Sequence, residues 1–386
     1  MRQDFSKTLE QIPPSGIRRF FDLVVGAKDV ISLGVGEPDF ITPWSVRSAA
    51  IDAIEQGRTS YTSNNGLLEL RQAIVTYLQA QFQVQYNPVS EVIVTLGVSE
   101  AVDIVLRTIL NPGDEVLLPE PAYVCYDPLI RLAGGQVVHL DTSATGFIPD
   151  PAVLEKHITP KTKAILLCSP SNPTGRIIPK ETLEAIGRLA IKHDFWIIAD
   201  EVYAELHYDL PFTSAAAIPG LREHVILLNG FSKGFAMTGW RLGFLAAPEP
   251  MVSRALKIHQ YCMLCAPIMS QYAAIEALEH GLSDVQDMRK SYQGRRNLFV
   301  ERLNAMGLAT HLPEGAFYCF PSIQSTGLSS EEFALRLLQE ERVAVVPGHV
   351  FGAGGEGHIR CCYASSLVQL KEALVRIERF LKKLKT

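Results

Sequence analysis

The sequence predicts an α/β protein: a mostly parallel, seven-stranded sheet with helices on both faces, joined to a smaller α+β domain. Two observations carry that prediction. Seven short apolar, β-branched runs recur through the middle of the chain, and amphipathic stretches of helical length separate them. Strands that alternate with helices at this pace are joined by crossovers, which place neighbouring strands parallel. No internal repeat or low-complexity linker breaks the alternation.

In chain order, residues 1–43 read as a loop-rich arm containing PPSGIRRFFDLV and ISLGVGEPDF, counted with the small domain. Residues 44–284 form the large domain. Its strands are expected at 92–96, 115–118, 136–140, 164–168, 196–199, 225–228 and 242–246. Between them, 101–110 has apolar residues at 101, 102, 104, 105, 106 and 109, a helical stripe, and Lys180–His193 reads the same way. Residues 285–386 complete the small domain with helices at 285–306, 330–339 and 367–384 and short strands between them. The last helix carries Leu367, Leu370, Leu374, Ile377, Leu381 and Leu384 on one face. Its terminal lysines suit the negative end of the helix dipole and need no binding partner.

Composition narrows the function. The 386 residues are 47% hydrophobic and 20% charged, enough for a large core. A net charge of −5 argues against nucleic acid or an anionic membrane as partner, because both demand a basic face. No apolar run approaches the roughly 18 residues of a membrane span. The opening MRQDFSKTLEQ lacks the apolar centre of a secretory signal, and seven cysteines, two of them adjacent, do not make a disulfide framework. The expected location is the cytoplasm.

The unusual residues gather at one place. In open α/β sheets, ligands bind beyond the carboxyl ends of the strands. There lie Gly97-Val98-Ser99-Glu100-Ala101, Pro119-Glu120-Pro121-Ala122-Tyr123, the run SPSNPTG (169–175), Asp200-Glu201-Val202-Tyr203 and Asn229-Gly230-Phe231-Ser232-Lys233-Gly234. The turn at 97–99 opens a helix, and its free N–H groups and hydroxyl suit an anion such as phosphate. Asp200 ends a buried strand, where an unpaired carboxylate is costly, so a cation from protein or ligand is expected beside it. Lys233, in a Ser/Gly-flanked loop after a buried strand, is placed for a reactive amine, and Arg241 for a phosphate. Singly, each has an ordinary explanation, since most lysines are solvated and most strand-end aspartates form turns. Their coincidence at one rim points to a single site.

With these segments the sequence resembles the pyridoxal-phosphate-dependent aminotransferases of class I and II, which have fold type I. The resemblance runs from PPSGIR to RCCYA and is most specific at SPSNPTG, ADEVYAEL (199–206) and NGFSKGFAMTGWRLG (229–243). It implies that Lys233 forms the Schiff base with pyridoxal 5′-phosphate and shuttles the substrate proton. Asp200 would pair with the ring nitrogen, Tyr203 and Asn172 with the phenolic oxygen, and Tyr123 would stack on the ring. The phosphate would be held by Val98, Ser99 and Arg241. Tyr61, in SYTSNNG, would reach the phosphate of a neighbouring subunit, which requires a homodimer. Arg360, in HIRCCYA, would clamp the substrate carboxylate with Gly36 and Asn172. Many relatives have a serine at the position of Gly230; Ser232 is the expected substitute here.

The wording of the N-terminal arm and of GFAMTGWRLGF is most similar to the subgroup of aromatic, aspartate and N-acetyl-diaminopimelate aminotransferases. The resemblance thus implies amino-group transfer from an L-amino acid, aromatic or broad in choice, to a 2-oxo acid, 2-oxoglutarate being expected. Ile17, Phe20, Tyr61 and Tyr123 are candidates for an apolar side-chain pocket. The same cofactor site also serves C–S β-lyases of sulfur amino acids. From another class, 97–101 resembles a serine-hydrolase elbow with Ser99 as nucleophile, although its last glycine is Ala101 and no oxyanion segment accompanies it. An aminotransferase-like regulator would need a DNA-binding module, for which 1–43 is too short. Gly352–Gly357 fits G-x-G-x-x-G but precedes a strand-like run, so it reads as a flexible loop leading to Arg360. Cys262 and Cys265 form a lone C-x-x-C, two core or interface thiols and no metal site.

Overall fold

The computed structural model describes residues 5–17 and 29–384. Twelve strands are present among them: β1 (Ile31–Ser32), β2 (Val92–Thr95), β3 (Glu115–Glu120), β4 (Gln136–Asp141), β5 (Thr162–Cys168), β6 (Trp196–Asp200), β7 (Val225–Gly230), β8 (Gly243–Ala246), β9 (Tyr318–Cys319), β10 (Val343–Ala344), β11 (Val346–Pro347) and β12 (Ile359–Cys362).

Strands β2 to β8 form one sheet in the order β2-β8-β7-β6-β5-β3-β4. Only β8 runs antiparallel to its neighbours, β2 and β7. The seven expected strands are therefore the seven observed ones. Alternation along each strand shows why both faces are covered. Ile165 and Leu167 of β5 enter one core while Ala164 and Leu166 enter the other; Ile197 and Ala199 of β6 oppose Ile198 in the same way. A sheet buried on both sides reads as continuous apolar runs, which is what made these strands visible.

The helix Val98–Ile109 buries Ala101, Val102, Val105 and Leu106 on one face of the sheet, beside the helix Glu249–Cys262. The helix Lys180–His193 buries Leu183, Ile186 and Leu189 in the core on the opposite face.

The rest of the chain makes two small sheets. β1 pairs parallel with β10, and β12 lies between β11 and β9, antiparallel to both. The helices Leu282–Ala305, Ser330–Glu341 and Leu367–Lys383 accompany them. The Gly352–Gly357 segment is not a loose loop. It holds the 3-10 turn Ala353–Gly355, with Gly354 and Gly355 buried against Gly348 and Asp141. All seven cysteines are free thiols, and Cys262 is exposed at a helix end rather than in the core. No described helix is long and apolar enough to cross a membrane.

Candidate active site

The carboxyl ends of β5, β6 and β7 open into a cavity of about 450 Å³. Every site residue expected from the sequence lines it except Tyr61: Gly36, Val98, Ser99, Tyr123, Asn172, Asp200, Tyr203, Ser232, Lys233, Arg241 and Arg360. Tyr61 instead stands 84% exposed on the surface. Ile17 lines the cavity too, whereas Phe20 lies outside the described residues.

Three charged groups meet here, Asp200 and Arg360 buried and Lys233 half-buried. Asp200, 4% exposed, ends β6. Its Oδ2 accepts a hydrogen bond from the Tyr126 hydroxyl at 2.6 Å and its Oδ1 one from the Val202 amide at 3.2 Å. Burial pushes its carboxyl up to about 6, against those two bonds and the Lys233 charge. The cation expected beside it is not a protein residue among those described. A hydroxyl and an amide hold the carboxylate instead, leaving a cationic ligand atom as the partner that would stabilise it.

Lys233 follows β7. Its Nζ donates to the Gly36 carbonyl at 2.7 Å and stands over the Tyr203 and Phe317 rings at about 6 Å. Desolvation lowers its ammonium to about 8, so a fraction is free amine near neutral pH, as a carbonyl-attacking lysine requires.

Arg360, in β12, is 2% exposed. Its guanidinium donates to Asn172 Oδ1 at 2.9 Å and to the Gly34 carbonyl at 2.6 Å, and lies over the Tyr318 ring at 4.6 Å. Its Nε has no partner among the described residues, nor has the side chain a carboxylate. A buried guanidinium without a counter-ion is the electrostatic complement of an anionic ligand.

At the other end of the cavity, Gly97 takes φ +82° and the helix starts at Val98 with its first amides unpaired by side chains. Arg241, also left-handed at φ +51°, donates from one guanidinium nitrogen to the Leu96 carbonyl at 3.3 Å and from the other to Thr238. Arg241, the helix N-terminus and the Ser99 and Ser232 hydroxyls line this end of the cavity, donors of the kind that attract an anion. The left-handed residue at the turn is Gly97, not Ser99, unlike a nucleophile elbow, in which the serine itself occupies the strained turn.

The departure at Gly230 has a steric reason. Gly230 pairs with Gly243 of β8, and an added Cβ would stand 2.9 Å from the Gly243 Cα and 3.1 Å from the Leu242 carbonyl.

Tyr318 escaped sequence reasoning. Its hydroxyl lies 2.9 Å from that of Tyr203, and it crowds Gly36, where no Cβ would fit. In the run AFYCF it reads as core. It opens β9, and nothing in the sequence set it apart.

A lysine, a carboxylate and a guanidinium without ion-pair partners, and a helix N-terminus beside Arg241, thus line one cleft. Residues 28–377 match the family described as aminotransferase class I and II, and the chain belongs to it. A Bacillus subtilis (strain 168) protein named as an aminotransferase, YugH, is 58% identical over 99% of this chain and 100% of its own. The aromatic-amino-acid aminotransferase 2 of Thermococcus litoralis is 44% identical, covering 98% and 99%. The solved aspartate aminotransferase of Thermus thermophilus with maleate superposes with a TM-score of 0.93 at 37% identity, covering 98% and 100%. The protein is thus a pyridoxal 5′-phosphate-dependent aminotransferase acting on amino acids and 2-oxo acids; the lyase and hydrolase readings are not favoured.

Proposed function

We propose that this chain transfers the amino group of an aromatic, or broadly apolar, L-amino acid to 2-oxoglutarate in two half-reactions at the cavity. The observation that carries this reading is the set of half-buried Lys233 and buried Asp200 and Arg360, which line one cavity with no ion-pair partner among the described residues. When bound, pyridoxal phosphate supplies an aldehyde for amino groups and an electron-withdrawing ring. Lys233 would hold that aldehyde, as an imine with loss of water, and would carry the substrate Cα proton. Asp200 would pair with the ring nitrogen and favour its protonated form, a cation that would in turn lower the raised Asp200 pKa. Tyr203 and Asn172 donate to the phenolic oxygen, and Tyr123 covers the ring. The Val98 and Ser99 amides, the two serine hydroxyls and Arg241 take the phosphate. Arg360, with Asn172 and Gly36, takes the substrate carboxylate.

Ile17, Tyr123, Val124 and Tyr318 support the choice of an apolar side chain. The cationic residues lining the cavity, among those described, are Lys233, Arg241 and Arg360, each already assigned. We also infer a cytoplasmic homodimer divided into an arm (1–43), a large domain (44–284) and a small domain (285–386). Exposed Tyr61, Ile41, Trp44, Tyr261 and Met263 support the dimer.

Titrating the holoenzyme with single amino acids, without acceptor, tests the reading. Phenylalanine and tyrosine should convert the cofactor to its amine form at concentrations about tenfold below aspartate, the worth of a modest apolar contact. Preferential conversion by aspartate would refute the side-chain assignment, and a monomer by sedimentation would refute the dimer.

A further inference from the structure

Behind the turn at 97–99 lies a buried acid–imidazole pair that transamination does not use. Glu100 is 9% exposed and His259, from the helix Glu249–Cys262, 0%. His259 Nδ1 stands 2.6 Å from Glu100 Oε1, and since a carboxylate only accepts, Nδ1 carries the hydrogen. The second carboxylate oxygen, Oε2, accepts the Leu96 amide. The Leu96 carbonyl in turn accepts from Arg241. A line of contacts therefore runs from His259 through Glu100 to the peptides on either side of Leu96 and on to the arginine.

Stability does not explain this pair. Glu100 is the third residue of its helix, where an acid commonly reaches back to cap the N-terminus, but an exposed acid does that as well. Here the acid is buried and demands an equally buried imidazole, whose Nε2 has no partner among the described residues. Two apolar side chains would fill the same space at lower cost. What His259 adds to that cap is a fixed orientation of the carboxylate that holds the peptide entering the turn.

We propose that Glu100 and His259 are positioning residues of the phosphate cradle. They hold the 96–97 backbone, and Arg241 upon it, in the geometry a phosphate monoester requires before the cofactor arrives. The inference rests on the reading that 97–99 and Arg241 take the cofactor's phosphate. A preset cradle spares the ordering that a mobile one must undergo on binding, and the gain is confined to ligands that carry the phosphate.

The test compares two ligands on the full chain stripped of cofactor: pyridoxal 5′-phosphate and pyridoxal, which lacks the phosphate. Glu100→Leu should raise the dissociation constant of the phosphate ester about tenfold or more, as loss of a charge-assisted hydrogen bond predicts, and that of pyridoxal less than about twofold. His259→Phe, which keeps the ring volume, should act in the same direction, about threefold to fivefold. Glu100→Gln retains an acceptor for the Leu96 amide and should restore binding to within about threefold of wild type.

Equal weakening of both ligands marks a merely structural role and overturns the proposal, as does no weakening of either. If Glu100→Leu does not fold, the same two constants for His259→Phe decide. Arg241→Ala separates the two levels. Should it fail to discriminate against the phosphate ester, the cradle reading itself falls; should it discriminate while the Glu100 and His259 variants do not, only the positioning inference falls.

Discussion

At the scale of single residues, Arg360 shows how a buried charge announces its ligand. Two of its donor groups are satisfied by Asn172 and Gly34, two rings cover its faces at 4.6 and 5.1 Å, and no carboxylate neutralises it. Such an arrangement weakens the protein alone and strengthens the complex. Replacing Arg360 by Ala should therefore raise KM for the amino acid by roughly 10- to 100-fold, from about 1.5–3 kcal/mol per charged hydrogen bond. Arg360→Lys should rescue little, because a point charge cannot reproduce a planar fork engaged at both Asn172 and Gly34. Steady-state kinetics with saturated cofactor checks both, and an unchanged KM would move the carboxylate site elsewhere. Arg360 was legible in HIRCCYA only through its family pattern. Tyr126, which donates to Asp200 from 74 positions away, carried no signal, because its ring is core and only its hydroxyl reaches Asp200.

At the scale of elements, the sheet was legible because burial on both faces makes its inner strands, such as β5 to β7, nearly continuous apolar runs. Helix Lys180–His193 matched its expected bounds, whereas Val98–Ile109 begins three residues earlier than its apolar stripe. Two of those three residues, Val98 and Ser99, line the cavity, and a helix start that leaves its amides facing a cavity shows no hydrophobic period. Contacts between elements were the illegible part. Gly243 of β8 lies under the turn, and a Cβ there would stand 2.8 Å from the Gly97 carbonyl carbon and 2.9 Å from the Val98 nitrogen. Both are backbone atoms, so the turn itself must yield. Gly243→Ala should cost about 1–3 kcal/mol of stability by overpacking and weaken cofactor binding, because the displaced amides are the proposed phosphate donors. Chemical denaturation of the cofactor-free protein measures the first effect and a cofactor titration the second; a variant indistinguishable from wild type in both would show that the strand and turn are not in firm contact.

At the scale of the whole molecule, the fold concentrates ionisable groups where water cannot reach them, and its stability must carry a record of that. Glu201 follows Asp200 directly and is equally buried. Its Oε1 accepts the Ala215 amide at 2.8 Å while its Oε2 has no partner among the described residues. Burial, with a smaller contribution from the Asp200 charge, pushes its carboxyl up to about 8. In the unfolded chain an ordinary glutamate loses its proton near 4.3. Between those values the folded state binds the proton and the unfolded state does not, so the unfolding free energy falls as pH rises. Below about pH 4 both states are protonated and the cost disappears. Glu201→Gln keeps an acceptor for Ala215 and has no charge to bury. Its stability relative to wild type should thus be close to zero at pH 4 and grow steadily in its favour up to about pH 8. Urea unfolding of the two cofactor-free proteins at pH 4, 6 and 8 draws that difference curve, and a flat line would mean that Glu201 meets water or a counter-ion in solution. Because the difference isolates Glu201 and its coupling to Asp200, the titrations of Lys233 and the buried thiols cancel between the two proteins, and the slope reports what it costs this fold to bury a second acid beside Asp200.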